Sequence, residues 1–316
     1  MSSMKLNIKF AGRANSGLKA FATVGLALAG IALTGTLYAG PVQAIPQYGL
    51  FVADSQSTIY SVNPRTGDRA IVAQGGFLAM PYDLAVKRDG TIAVSDTGSR
   101  RIVQVNPDTQ EQVIIAEGDE LGVPYGLTVD KQNAIYVANA SSVLRVNPKN
   151  GRVETLATGG LLRVPLDVAA AADGSVYVAD AVAGIVRINP ATGKQTLIAS
   201  GNMLHQPVGI VLDGDHSAYV ADLEGRCIVT VDLRNGTQNL VSMAGLLTSP
   251  VGIAIGPDGA LLVSDPDAFN LDGGIMTINA DGSQNQIARG SGDLVNARGI
   301  AVYPLSQKFF KSPLDN

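Results

Sequence analysis

A four-residue phrase recurs along this chain at a nearly constant interval, and nothing else restricts the fold so tightly. It reads FVAD ending at Asp54, AVSD at Asp96, YVAN at Asn139, YVAD at Asp180, YVAD at Asp222 and LVSD at Asp265, in steps of 42, 43, 41, 42 and 43 residues. A second phrase follows each copy: NPRTGD, NPDTQE, NPKNGR, NPATGK, DLRNGT and NADGSQ. A third closes each unit: LAMPYDLAV, LGVPYGLTV, LRVPLDVAA, LHQPVGIVL, LTSPVGIAI and LVNARGIAV. One unit of this length cannot bury its own apolar surface, so the copies must stack on one another.

Each unit reads as four short strands. Runs such as residues 176–179 and 185–188 are apolar, rich in β-branched residues, too short for helices, and bounded by Gly, Pro, Asn and Asp. Their near-continuous apolar character implies cover on both sheet faces, as between stacked blades. The Asn-Pro-x-Thr-Gly stretch is turn chemistry, with Pro presetting φ and Gly accepting a positive one. Four strands per unit of about 40–45 residues predict an all-β, six-bladed β-propeller of four-stranded blades. The repeat phase adds the closure. The first YVAD-type strand has no GIAV-type strand before it, and the last GIAV-type strand, at 299–302, has no partner after it. The C-terminal strand is therefore expected to complete the first blade and remove the ring's open edges.

The stretches DGTIAVSDTGSRRIVQV, residues 89–105, and PVGIAIGPDGALLVSD, residues 250–265, resemble NHL repeats, a six-bladed propeller family, and the resemblance spans residues 49–302. It implies the fold and leaves the activity open, because the same scaffold hosts lyases, lactonase-like hydrolases and interaction modules. The chain has no Trp, which excludes WD-type propellers.

Residues 1–44 read as a secretory signal peptide: Lys5, Lys9, Arg13 and Lys19 without an acid, an apolar run at 21–39, and small residues Val42 and Ala44 before the cut. Retention of that run as a membrane anchor is the alternative. The propeller then spans 45–304 and a tail spans 305–316, in which Phe309 and Phe310 pack under the ring or mark a contact. An exported, periplasmic or extracellular protein is expected. Of 23 basic and 27 acidic residues the leader holds four basic ones, so the remainder carries a net −8. An acidic chain without basic clusters repels phosphate backbones, so no nucleic-acid partner is expected. The lone Cys227 sits in an apolar strand pattern and reads as a packing residue.

Ligands meet propellers where loops gather at the ring's mouth, and the informative positions there are those that break the repeat. Leu78, Leu121, Leu162, Leu204, Leu247 and Leu294 occupy one place in all six units and read as packing. Gly126, Gly209, Gly252 and Gly299 open four inner strands, whereas Asp83 and Asp167 stand there in the other two. Asp83 and Asp167 are the candidate catalytic acids, with Tyr82, Tyr125, Arg163, His205, Arg298 and Asn139 as candidate ligand contacts; a carboxylate that only accepts turn amides is the bland alternative. The blade-repeated Asp54, Asp96, Asp180, Asp222 and Asp265 read as structural. The longer stretch DPDAFNLDGG in the last unit reads as a loop overhanging the mouth.

Residue supply limits the chemistry. With only His205 and His216 there is no histidine cluster for zinc, as in NHL-type amidating lyases. Virginiamycin-type lyases, which this chain resembles in repeat pattern, need a His with two Glu, and the acids Glu111, Glu117, Glu120, Glu154 and Glu224 fall mostly in outer strands or loops. Lactonase-like propellers hold Ca²⁺ with Glu, Asn and Asp; Asp83, Asp167, Asn139 and Asn296 offer part of that set without the Glu. No cofactor or metal site is expected, with a Ca²⁺-type ion in the channel as the alternative. The expected function is a binding or scaffold module for a protein or small ligand at the mouth. The alternative is an enzyme or maturation factor acting on a small apolar or aromatic metabolite, as suggested by resemblance to the exported NHL propellers that accompany cyanobacterial scytonemin biosynthesis.

Overall fold

A computed structural model describes residues 21–28, 31–38, 48–290 and 292–304. Phe21–Leu28 and Ile31–Tyr38 pair as an antiparallel hairpin, a unit separate from the rest. The expected cleavage residues 42–44 and the tail beyond Pro304, with Phe309 and Phe310, lie outside the described residues. No helix among the described residues is long and apolar enough to cross a membrane.

Residues 48–304 form six four-stranded antiparallel sheets, each built from strands consecutive in sequence except one. That exception is the ring closure. Ala297–Pro304 is the innermost strand of blade 1, hydrogen-bonded to Tyr48–Asp54, followed outward by Thr58–Val62 and Arg69–Gln74. The register runs from Ala297 opposite Asp54 to Pro304 opposite Tyr48. The innermost strands of blades 2 to 6 are Pro81–Val86, Pro124–Val129, Pro165–Ala170, Pro207–Asp213 and Ile253–Ile255.

The core lies between blades rather than within them. Second strands such as Ile92–Asp96, Ile135–Asn139 and Val176–Asp180 are buried at every residue because neighbouring blades cover both their faces, and that of blade 5 leaves only Ser217 and Tyr219 partly open. Phe51 and Ile59 of blade 1 pack with Leu84, Val94 and Val103 of blade 2, and Ile102 of blade 2 packs with Leu127, Ile135 and Val137 of blade 3. Each large aliphatic side chain so buried contributes roughly 1.5–3 kcal/mol. The six repeated leucines of the inter-blade loops are all buried. Cys227 is also buried, and desolvation pushes its thiol up to about 11, which leaves it a small apolar packing residue.

The hairpin turns join local to tertiary structure. The Asn63 side chain accepts the N–H groups of Arg65 and Thr66 at 2.9 and 3.4 Å, and Gly67 closes the turn at φ 75°. Gly67 is needed for a second reason: a Cβ there would collide with the Ile287 carbonyl of the adjacent blade. In blade 6 the longer loop winds through Phe269, Asn270 and Leu271 at φ 56°, 66° and 68°, an unfavourable left-handed run. It is pinned by the buried Phe269 ring, with the Arg289 guanidinium 5.3 Å from its centroid.

Candidate functional site

The six innermost strands surround an axial channel of about 490 Å³. Its wall is aliphatic, and its polar side chains are Asp83, Asp167 and Thr128 alone. Tyr82, Tyr125 and Arg298 each stand one or two residues ahead of the channel-lining run of their strands, on the side of the mouth. They form one cluster: the two phenol rings meet edge to face at 5.3 Å, and the Arg298 guanidinium lies 5.9 Å from the Tyr82 centroid. Residues of blades 1, 2 and 3 are thus gathered by ring curvature, as the convergence of inner strands predicts.

Serine substitutions in the repeat hold this cluster. Ser95 donates to the Tyr125 carbonyl and accepts the Asp83 N–H at 3.1 Å. Ser264 donates to the Arg298 carbonyl and accepts the Gly252 N–H at 3.0 Å. Alanines 53, 138, 179 and 221 occupy this position in the other blades. The signal was present in AVSD and LVSD, and reading the phrase as one motif concealed it.

Asp83 and Asp167 sit where glycine stands in the other blades, and the glycines explain how they fit. A Cβ on Gly126 would lie 2.5 Å from the Asp167 Cα, and one on Gly299 the same distance from the Asp83 Cα. Each carboxylate reaches forward as well. Asp83 accepts the Leu127 N–H of blade 3 at 2.7 Å, and Asp167 accepts the Ile210 N–H of blade 5 at 2.8 Å. Asp167 also accepts the Val168 N–H at 2.7 Å. Both acids therefore staple successive blades, a role close to the turn-amide alternative but made across the blade boundary.

Both side chains stay partly accessible from the channel, yet protein atoms crowd them. Desolvation raises Asp83 to about 7, opposed by the amides of Leu127 and Leu84. It raises Asp167 well above the usual carboxylate range, with the Asp83 charge adding to the effect and the Ile210 and Val168 amides opposing it. The protein around them therefore holds both carboxyls above the ordinary carboxylate range. Burial likewise raises the Tyr82 phenol, which remains a neutral donor.

The remaining expected contacts are placed as follows. Asn139 is the sixth member of the blade-repeated acid series: its side-chain oxygen accepts the Val123 N–H at 2.9 Å and its amide donates to Ser142 at 3.3 Å. The equivalent Asp180 accepts four backbone N–H groups, from Arg163, Val164, Val182 and Ala183, at 2.7–3.0 Å. Arg163 and His205 contribute their backbone N–H groups to Asp180 and Asp222, and their side chains are exposed on the mouth loops. A Ca²⁺-type ion does not suit this donor set. Only two carboxylates reach the channel, both already accept amides, and no group of three or more His, Cys, Asp or Glu among the described residues could hold a metal.

Comparison with known proteins agrees with this architecture. No curated protein matches the sequence. Among solved structures, a chain of the nidogen/laminin complex superposes with a TM-score of 0.70 at 14% identity, covering 81% of this chain and 98% of that one. Streptogramin B lyase gives 0.59 at 17% identity, covering 81% and 88%. Catalytically inactive virginiamycin B lyase from Staphylococcus aureus, with quinupristin, gives 0.59 at 16% identity, covering 89% and 92%. These likenesses establish the fold. The family model described as SMP-30/Gluconolactonase/LRE-like region matches residues 83–264, more than half of the chain and inclusive of both channel carboxylates. The chain is a six-bladed propeller that belongs to the SMP-30/Gluconolactonase/LRE-like family.

Proposed function

We propose that the axial channel binds a small, mostly apolar or aromatic molecule, received at the mouth by Tyr82, Tyr125 and Arg298 and held at its polar end by the Asp83–Asp167 pair. The observation that carries this reading is the channel's composition: about 490 Å³ of aliphatic wall with the two carboxylates and Thr128 as its polar side chains. Such a pocket gains affinity from apolar burial and orientation from a few polar groups. The two phenols favour a ligand with an aromatic ring, and an indole-phenol of the scytonemin type belongs to that class. The NHL-like blade motifs and the signal-like sequence of residues 1–44 support a binding module that works after export.

A catalytic reading rests on one feature, the two raised carboxyls. Carboxyls held above their ordinary range are suited to act as general acid or general base on a bound metabolite. Binding ranks first because both carboxylates are engaged in joining blades.

Native mass spectrometry of the protein purified from its source tests the proposal. A small-molecule adduct that is present in the wild type and lost in Tyr125→Ala supports channel binding. A bare chain, or one carrying another protein in place of a small molecule, refutes it. Turnover of the identified ligand that survives Asp83→Asn together with Asp167→Asn would remove the catalytic reading.

A further inference from the structure

On the face opposite the mouth, where the NPxTG turns gather, a cleft of about 590 Å³ opens between blades 2 and 3. Its charged lining comprises Lys87 and Asp89 from blade 2 with Arg145, Lys149, Arg152 and Glu154 from blade 3. Four cations against two carboxylates leave a local charge of +2, in a chain whose net charge is −4. We propose that this cleft binds a small polyhydroxylated molecule carrying a phosphate or sulfate monoester.

The repeat supplies its own control. Strand pairing puts Ser61, Gln104, Arg187, Thr230 and Thr277 where Arg145 stands. The turn positions of Lys149 and Arg152 are Arg65 and Asp68 in blade 1, Asp108 and Glu111 in blade 2, and Ala191 and Lys194 in blade 4. In blade 5 they are Arg234 and Thr237, and in blade 6 Asp281 and Ser283. Blade 3 alone carries a cation at all three positions. At the turn position of Lys87, blades 3 to 6 have Asp130, Ala171, Asp213 and Gly256. The fold needs none of these cations, since the other blades form without them.

Nor does the protein neutralise the three cations of blade 3. Arg187 pairs with Asp173 at 3.1 Å, Arg101 with Glu117 at 2.9 Å and Arg234 with Asp232 at 2.6 Å. Arg145, Lys149 and Arg152 form no ion pair among the described residues, although Glu154 is the cross-strand neighbour of Arg145. The Lys87 ammonium is committed inside the wall, donating to Gln104, Thr91 and Asp89 at 2.6, 3.1 and 3.4 Å. Its charge is offset by Asp89, while the two guanidiniums and Lys149 remain free to donate among the described residues. Guanidinium forks match the oxygens of a tetrahedral dianion. Glu154 suits a hydroxyl group on the rest of the ligand, and the volume is that of a ligand larger than a bare ion.

Isothermal titration of the full chain with glucose 6-phosphate, glucose 6-sulfate and glucose tests this. We expect saturable binding of a charged sugar and none of glucose, and binding weakened about tenfold or more for each guanidinium removed in Arg145→Gln and Arg152→Gln. Both side chains are exposed, so these variants fold, and melting curves check that they do. Arg65→Gln, in the equivalent turn of blade 1, should leave binding unchanged. The tighter of the two charged sugars identifies the acid group. Absence of binding by both, equal binding of glucose, or an equal loss in Arg65→Gln would overturn the assignment.

Discussion

Asp83→Asn removes one ionisable group and keeps an oxygen able to accept the Leu127 amide, so it isolates the cost of placing charge in the channel. Folding moves the Asp83 carboxyl from 3.8 to about 7, chiefly by desolvation. Between these values the native state binds more protons than the unfolded chain, so stability falls as pH rises through the window and the loss is complete above about pH 7. Some three pKa units at about 1.36 kcal/mol each give an upper figure of about 4 kcal/mol, and access from the channel reduces it to roughly 2–4 kcal/mol. Asp89, Asp173 and Asp281 are lowered on folding, so their stabilisation is lost only as pH falls below about 4, outside the window. Urea unfolding of the wild type and Asp83→Asn from about pH 4.5 to 8 provides the assay. The two proteins should be similar at the acid end, and the variant should be more stable by roughly 2–4 kcal/mol at the alkaline end. Parallel stability curves, or a wild type that gains on the variant as pH rises, would refute the burial argument and mean that the Asp83 charge is well solvated.

Two further expectations concern the scaffold. Gly126→Ala would drive a Cβ into the Asp167 backbone, and we expect a loss of about 2–4 kcal/mol, read as a lowered melting temperature, with Gly174→Ala as the comparison for a positive-φ glycine in open space. Asp180→Ala would strip the acceptor from four buried or half-buried amides, at a cost of about 3–5 kcal/mol by denaturant unfolding. A variant as stable as wild type would show that water replaces the carboxylate.

The ring itself was legible in the sequence. A four-strand unit repeated six times leaves few ways to cover both faces of every sheet, and the offset between first and last units specified the closing strand. Local chemistry was legible for the same reason: Asn63 and Gly67 act within a few residues of one another, so their roles survive any tertiary arrangement. Breaks in the repeat also pointed to Asp83, Asp167, Tyr82, Tyr125 and Arg298, and the fold gathers these residues around one channel and its mouth, since equivalent strand positions face one axis.

Side-chain direction and contacts between blades were decided only in three dimensions. Asn139 breaks the repeat in residue type but not in role, because backbone amides of the preceding loop already claim that position in every blade. Arg163 and His205 lie close in sequence to the mouth strands, and only the folded loops show that their backbone amides serve Asp180 and Asp222 while their side chains stay exposed. Lys87 and the three blade 3 cations are interspersed with acids in an acidic chain, so no local window shows a basic cluster; the packing of blade 2 against blade 3 brings them into one cleft. The raised carboxyls have the same origin. A sequence states which groups can ionise, whereas desolvation depends on atoms contributed by neighbouring blades, and those become neighbours only when the ring closes.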